Sequence, residues 1–128
     1  MPKDFDSWNK VKKQVDAKKV EIFCNSREIW WCSIGLNVGS EEDGKNELFE
    51  RPALIINVFN RDMIRAAPLT SKNREDNHHV PIIYNNRTGA VILSQVKTIS
   101  TKRLSRKLCR LNKEQFKKVI EGLKNNLV

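Results

Sequence analysis

Apolar residues recur at helical spacing near both ends of the chain and cluster in short dense runs between. Trp8, Val11 and Val15 form one stripe, which predicts a helix over about residues 7–18 with Asp4 or Asp6 as its cap. Val20 to Cys24 alternates weakly, as an extended approach to the core would. EIWWCSIG (28–35), rich in aromatic and β-branched residues, reads as a strand. Residues 36–50 carry two glycines, five acids and no apolar period, and read as a long loop. PALIINVF (52–59) is apolar on both faces, hence a central buried strand with Pro52 at its first position. IRAAPLT (64–70) follows across a hairpin at Asn60-Arg61-Asp62.

After a polar loop (71–79), VPIIY (80–84) is a fourth strand, and Pro81, which cannot donate to a ladder, implies that it lies at an edge or pairs irregularly. Residues 85–89 read as a turn, AVILSQVKTI (90–99) as one long strand, Ser100 as the cap of a short helical turn and SRKLCRL (105–111) as a sixth strand. Asn112 is the N-cap of a closing helix, with Gln115 three residues on and Leu111 and Phe116 placed for a hydrophobic staple. Phe116, Val119, Ile120 and Leu123 give that helix one apolar stripe. The pattern predicts a mainly β fold, a small twisted barrel with an amphipathic helix at each end. No internal repeat or linker interrupts it. One domain is expected over 1–128, with about 1–26 a helical extension and about 27–128 the barrel.

Composition narrows the class. The chain has 128 residues, 24 Lys+Arg against 15 Asp+Glu, and a net charge of +9. No apolar run approaches the ~20 residues of a bilayer span, and the N-terminus has no continuous apolar core of a secretory signal. Three cysteines (Cys24, Cys32, Cys109) cannot all pair, which fits a reducing compartment. A cytoplasmic protein with a polyanionic partner is expected, and no membrane role. The charge is uneven. Residues 97–128 hold ten Lys/Arg and two acids, whereas 40–50 hold five acids and Lys45.

Most familiar constellations are missing. There is no GxxxxGK[ST] and no GxGxxG. The cysteines lack CxxC spacing, and we assign no metal and no cofactor. His78 and His79 could serve as acid and base, but neighbours in a strand point to opposite faces. Arg51 and Thr70 are more suggestive. Arg51 opens the buried strand, and Thr70 and Ser71 end the next; in an antiparallel pair these meet at one rim. A guanidinium fork there suits a phosphate. Equally, Arg51 could pair with Glu50 or another loop acid while Thr70 simply ends a strand.

Over about residues 27–127 the chain resembles the MazF/PemK family of toxin–antitoxin ribonucleases, through REIWWCSIGLNVGSE, RPALII, PLTS, GAVILSQVKTI, STKRLSRKL and a closing helix in that order. The resemblance implies an SH3-like β-barrel, usually homodimeric, that cleaves single-stranded RNA, mRNA included, without metal and is bound by a cognate antitoxin. It puts the catalytic arginine on Arg51 and the catalytic threonine on Thr70. The Gly-Ser-Glu signature falls on Gly39, Ser40 and Glu41, beside the RNA path, and Gln95 falls near the dimer interface and site. With them, Ser71, Lys72 and Lys97 are expected to contact substrate. The implied reaction is attack of a ribose 2′-hydroxyl on the adjacent phosphate, leaving 2′,3′-cyclic phosphate and 5′-hydroxyl ends.

Two departures stand out. The loop before Arg51 is longer and more acidic than the family's usual one, and Ser94 and Ser40 replace the carboxylate and histidine of one branch. Glu41, Glu42, Asp43, Glu47 and Glu50 could screen an empty site, or simply lie solvated beside it. Other classes compatible with such a barrel are a CcdB-like toxin that binds a topoisomerase and a non-catalytic RNA-binding module.

Overall fold

The structure, a computed structural model, describes residues 3–18, 22–34, 49–72 and 74–126. Within them α1 (Phe5–Asp16) precedes β1 (Glu28–Ser33), β2 (Glu50–Val58), β3 (Met63–Thr70), β4 (His79–Tyr84), β5 (Arg87–Ile92), β6 (Lys97–Ser100), β7 (Leu104–Arg110) and α2 (Lys113–Asn125). Asp4 caps α1 by accepting from the Ser7 amide at 3.0 Å, and Trp8 and Val15 are its buried positions. Asn112 caps α2 by accepting from the Gln115 amide at 2.9 Å. The Gln115 side chain does not complete a capping box. It bonds both the amide and the carbonyl of Ile83, which ties α2 to the β4 edge.

The strands form one antiparallel sheet in the order β4-β5-β3-β2-β1-β7, with β6 paired to β3 off that path. The sheet curls into a half-barrel. Between its ends, Asn85 in the β4–β5 turn donates to the Leu108 carbonyl of β7 at 3.1 Å. One core, including Ile29, Leu54, Ile56, Leu69 and Val91, packs beneath α2 through Val119. A second, including Cys32, Ala53, Ile55, Ile64 and Leu104, fills the other face. Leu54 and Ile56 thus belong to one core and Ala53 and Ile55 to the other, as expected for a strand buried on both faces.

Three expectations need correction. Strand β2 starts at Glu50, before Pro52, because β1 extends the pairing through Cys32↔Arg51 and Ser33↔Glu50. Proline is tolerated inside this central strand because the β2–β3 ladder begins only at Ala53↔Pro68, so the missing N–H falls beyond its end. The expected long strand 90–99 is two strands separated by a 3₁₀ turn at Leu93–Gln95, which makes seven strands rather than six. Finally, residues 85–89 are not all turn. Asn85 and Asn86 (φ 47° and 59°) make a two-residue hairpin of the left-handed kind, and Arg87 already belongs to β5. The edge position expected of Pro81 is observed in β4, and Ser100 caps the 3₁₀ turn Thr101–Arg103.

Candidate active site

Strand β3 changes partners, and the site lies where it does so. Its first part pairs with β2 as far as Pro68, while Leu69 and Thr70 pair instead with Val91 and Ala90 of β5. In the gap so opened, the Nη1 of Arg51 donates to the Leu69 carbonyl at 2.9 Å. A buried carbonyl near the end of a ladder needs a donor, and the guanidinium supplies one. That bond helps fix the plane of the Arg51 fork. Arg51 is 5% exposed and Thr70 8%. The Thr70 hydroxyl accepts from the Lys72 amide at 3.3 Å, a local turn that holds the end of β3.

Gly89 allows this approach. A Cβ at that position would stand 2.6 Å from the Thr70 carbonyl oxygen, so only glycine lets β5 lie so close to the end of β3.

Arg51 and Thr70 open onto one cavity of about 210 Å³, whose walls include Trp31, Glu50, Tyr84 and Arg87. Glu50 is 1% exposed and is bonded by Ser105 and by Arg106 (3.2 Å), both from β7. The Arg106 guanidinium also lies over the Trp31 ring, 4.8 Å from its centroid. Burial pushes the Tyr84 hydroxyl above the usual tyrosine value, against the neighbouring Arg87, so it stays protonated at neutral pH and can donate. A fixed guanidinium plane and hydroxyls lining one cavity, with a second arginine on the wall, are an arrangement that can hold a phosphate and stabilise negative charge developing on it.

The expected site residues divide. Arg51, Thr70 and Ser71 line the cavity together, and the Lys72 amide supports it. Among the described residues, Gln95 and Lys97 are not in its lining. Gln95 stands in the 3₁₀ turn after β5, and Lys97 borders a different groove of about 290 Å³ with Met63, Thr98 and Arg103. The break between β5 and β6 redirects both. Ser40 and Glu41, with the acidic stretch before Glu50, lie outside the described residues. Neither histidine lines the cavity; His79 Nδ1 is 2.8 Å from Asp76 Oδ1 near the start of β4. Sequence reasoning missed Trp31, Tyr84, Arg87 and Thr88 as site residues. The usable signal was the Asn85-Asn86 pair, whose two-residue hairpin brings Tyr84 opposite Arg87.

Residues 25–127 match the model of the PemK-like, MazF-like toxins of type II toxin–antitoxin systems. The chain belongs to this family. Among solved structures, this PemK/MazF-family chain is similar to MazF from Deinococcus radiodurans, with TM-score 0.71 and 18% identity over 84% of this chain and 98% of that one. It is also similar to an endoribonuclease from a mycobacterial species in complex with its cognate antitoxin (TM-score 0.65, 17% identity, 82% of this chain and 95% of that one). A third likeness is to the Mycobacterium tuberculosis toxin MazF-mt6, with TM-score 0.60 and 21% identity over 77% of this chain and 94% of that one. At these identities the likeness establishes the fold. No curated protein matches the sequence. Among the described residues, no helix of this PemK/MazF-family chain is long and apolar enough to cross a membrane.

Proposed function

We propose that the chain is an endoribonuclease toxin that cleaves single-stranded RNA, mRNA among its substrates, at the Arg51–Thr70 cavity. The observation that carries this reading is the Arg51 guanidinium, held on the Leu69 carbonyl and opening onto the same cavity as Thr70. In this reading the substrate's own 2′-hydroxyl attacks the adjacent phosphorus. The O2′–P bond forms, the P–O5′ bond breaks, and the 2′-hydroxyl proton passes through water to the departing 5′-oxygen. The products are a 2′,3′-cyclic phosphate and a 5′-hydroxyl end.

Arg51 stabilises the phosphorane, whose charge grows on the non-bridging oxygens. Thr70 orients the phosphate or the attacking hydroxyl. Ser71 and Lys72 flank them at the end of β3, and Ser40, Glu41, Gln95 and Lys97 are proposed to meet the RNA further along its path. The net charge of +9 favours a polyanion at long range. In this reading the chain is a single-domain cytoplasmic protein that works as a homodimer and needs no cofactor. By likeness to the mycobacterial endoribonuclease bound to its cognate antitoxin, an antitoxin protein is the proposed regulator.

Incubation of the purified protein with end-labelled single-stranded RNA tests the reading. Fragments with 5′-hydroxyl and cyclic-phosphate ends support it. Intact RNA together with inhibition of a topoisomerase would indicate a CcdB-like toxin instead.

A further inference from the structure

Helix α1 lies outside the residues that match the family, which begin at 25, yet it packs on Phe49, the residue just before the strand that carries Arg51. Trp8 is buried at 7% exposure, and its ring packs against Phe49 with centroids 5.6 Å apart and planes tilted by 59°. Phe49 immediately precedes Glu50 and Arg51. Its φ is 55°, a left-handed conformation that a bulky L-residue adopts only where its surroundings enforce it.

The opposite strand is held from the same point. Arg103 places its guanidinium 6.0 Å from the Trp8 ring centroid and donates to the Ser33 carbonyl at 3.0 Å. Ser33 is the β1 partner of Glu50. The helix itself is tethered. Lys18 Nζ donates to the carbonyls of Lys102 (3.1 Å) and Leu104 (3.3 Å), and Lys102 Nζ returns a bond to the Asp16 carbonyl at 2.9 Å.

We propose that α1 is a brace for the catalytic strand, in which Trp8 is a positioning residue that sets the Arg51 guanidinium through Phe49. This rests on the assignment of RNA cleavage to the Arg51–Thr70 cavity. Trp8 acts through backbone geometry. The indole fixes the Phe49 ring, the ring enforces the left-handed turn, and the turn sets where β2 begins and so how Arg51 meets the Leu69 carbonyl. A misplacement on the order of 1 Å of a charge-stabilising group can cost up to about 100-fold in rate.

The test is a double-mutant cycle on the full-length protein, read as kcat for RNA and as Kd for an RNA carrying a 2′-deoxynucleotide at the mapped cut site. Trp8→Ala should lower kcat about 10- to 100-fold and weaken binding of the uncleavable RNA, while Trp8→Phe restores both. In an Arg51→Ala background, Trp8→Ala should change that Kd by less than about twofold, because the group it positions is gone. Phe49→Leu should reproduce the Trp8→Ala defect and carries the same cycle if Trp8→Ala does not fold. An equal loss of affinity with and without Arg51, or full activity in Trp8→Ala, would overturn the brace while leaving the nuclease assignment intact. A wild-type protein that neither binds nor cuts RNA would remove both.

Discussion

Arg51 and Leu69 lie 18 residues apart, yet the Arg51 guanidinium donates to the Leu69 carbonyl at 2.9 Å. The bond closes the gap left where β3 turns from β2 to β5, and it orients the guanidinium toward the cavity shared with Thr70. Lysine would keep the charge but lose the planar fork. Arg51→Lys should therefore fold with an unchanged far-ultraviolet circular dichroism spectrum and cut RNA about 10²–10³-fold more slowly. Single-turnover kinetics check this.

Gly89 and Gly122 should respond unequally to alanine. At Gly89 the new Cβ meets the Thr70 carbonyl oxygen at 2.6 Å, and backbone cannot step aside cheaply. Gly89→Ala should cost about 1–3 kcal/mol and reduce cleavage by displacing Thr70. At Gly122, inside α2, the nearest atoms are side-chain methyls of Leu93 (2.7 Å) and Val80 (3.2 Å). The helix-propensity gain of about 1 kcal/mol offsets that crowding, so Gly122→Ala should be near neutral. Urea denaturation of the two variants measures the contrast.

Glu28 predicts an acid-labile fold. Burial pushes its carboxyl up, but the Asn25 amide (2.8 Å), the Trp30 indole (3.1 Å) and Lys107 (3.0 Å) outweigh that and hold it below the usual glutamate value. Because the folded value is the lower one, its contribution is fully present above the unfolded value and is lost as pH falls through the folded one. The urea midpoint should drop as the pH falls below the ordinary glutamate value of 4.5, and Glu28→Gln should flatten that dependence while lowering the midpoint at neutral pH.

Thiol chemistry should be slow in the native state. Burial pushes Cys32 up to about 12 and raises Cys24 and Cys109 as well, so none presents much thiolate at neutral pH. A thiol-reactive chromophore should label Cys32 only once the protein is unfolded in denaturant; rapid native labelling of Cys32 would contradict its burial.

Local pattern made the helices and most strands legible. The stripe of Phe116, Val119, Ile120 and Leu123 and the Asn112 cap are short-range signals, and α2 obeys them. The run 90–99 misled because a choice of partners divides it. β5 pairs with β4 and β3, β6 pairs with an earlier part of β3, and no local propensity encodes that switch. That Arg51 and Thr70 share one rim was readable, because antiparallel neighbours bring the start of one strand to the end of the next. The Asn85-Asn86 pair signalled the hairpin that sets Tyr84 opposite Arg87, but not that this hairpin walls the cavity, which depends on how far it curls across the sheet.

The central claim is that Arg51 and Thr70 together cleave RNA. The most direct measurement compares wild type, Arg51→Ala and Thr70→Ala on end-labelled single-stranded RNA in EDTA, with the fragment ends mapped. Wild type should cut to 5′-hydroxyl and 2′,3′-cyclic phosphate ends, and each folded variant should lose about 10²-fold or more in rate. Cleavage by Arg51→Ala at the wild-type rate, or 5′-phosphate ends from the wild type, would contradict the account.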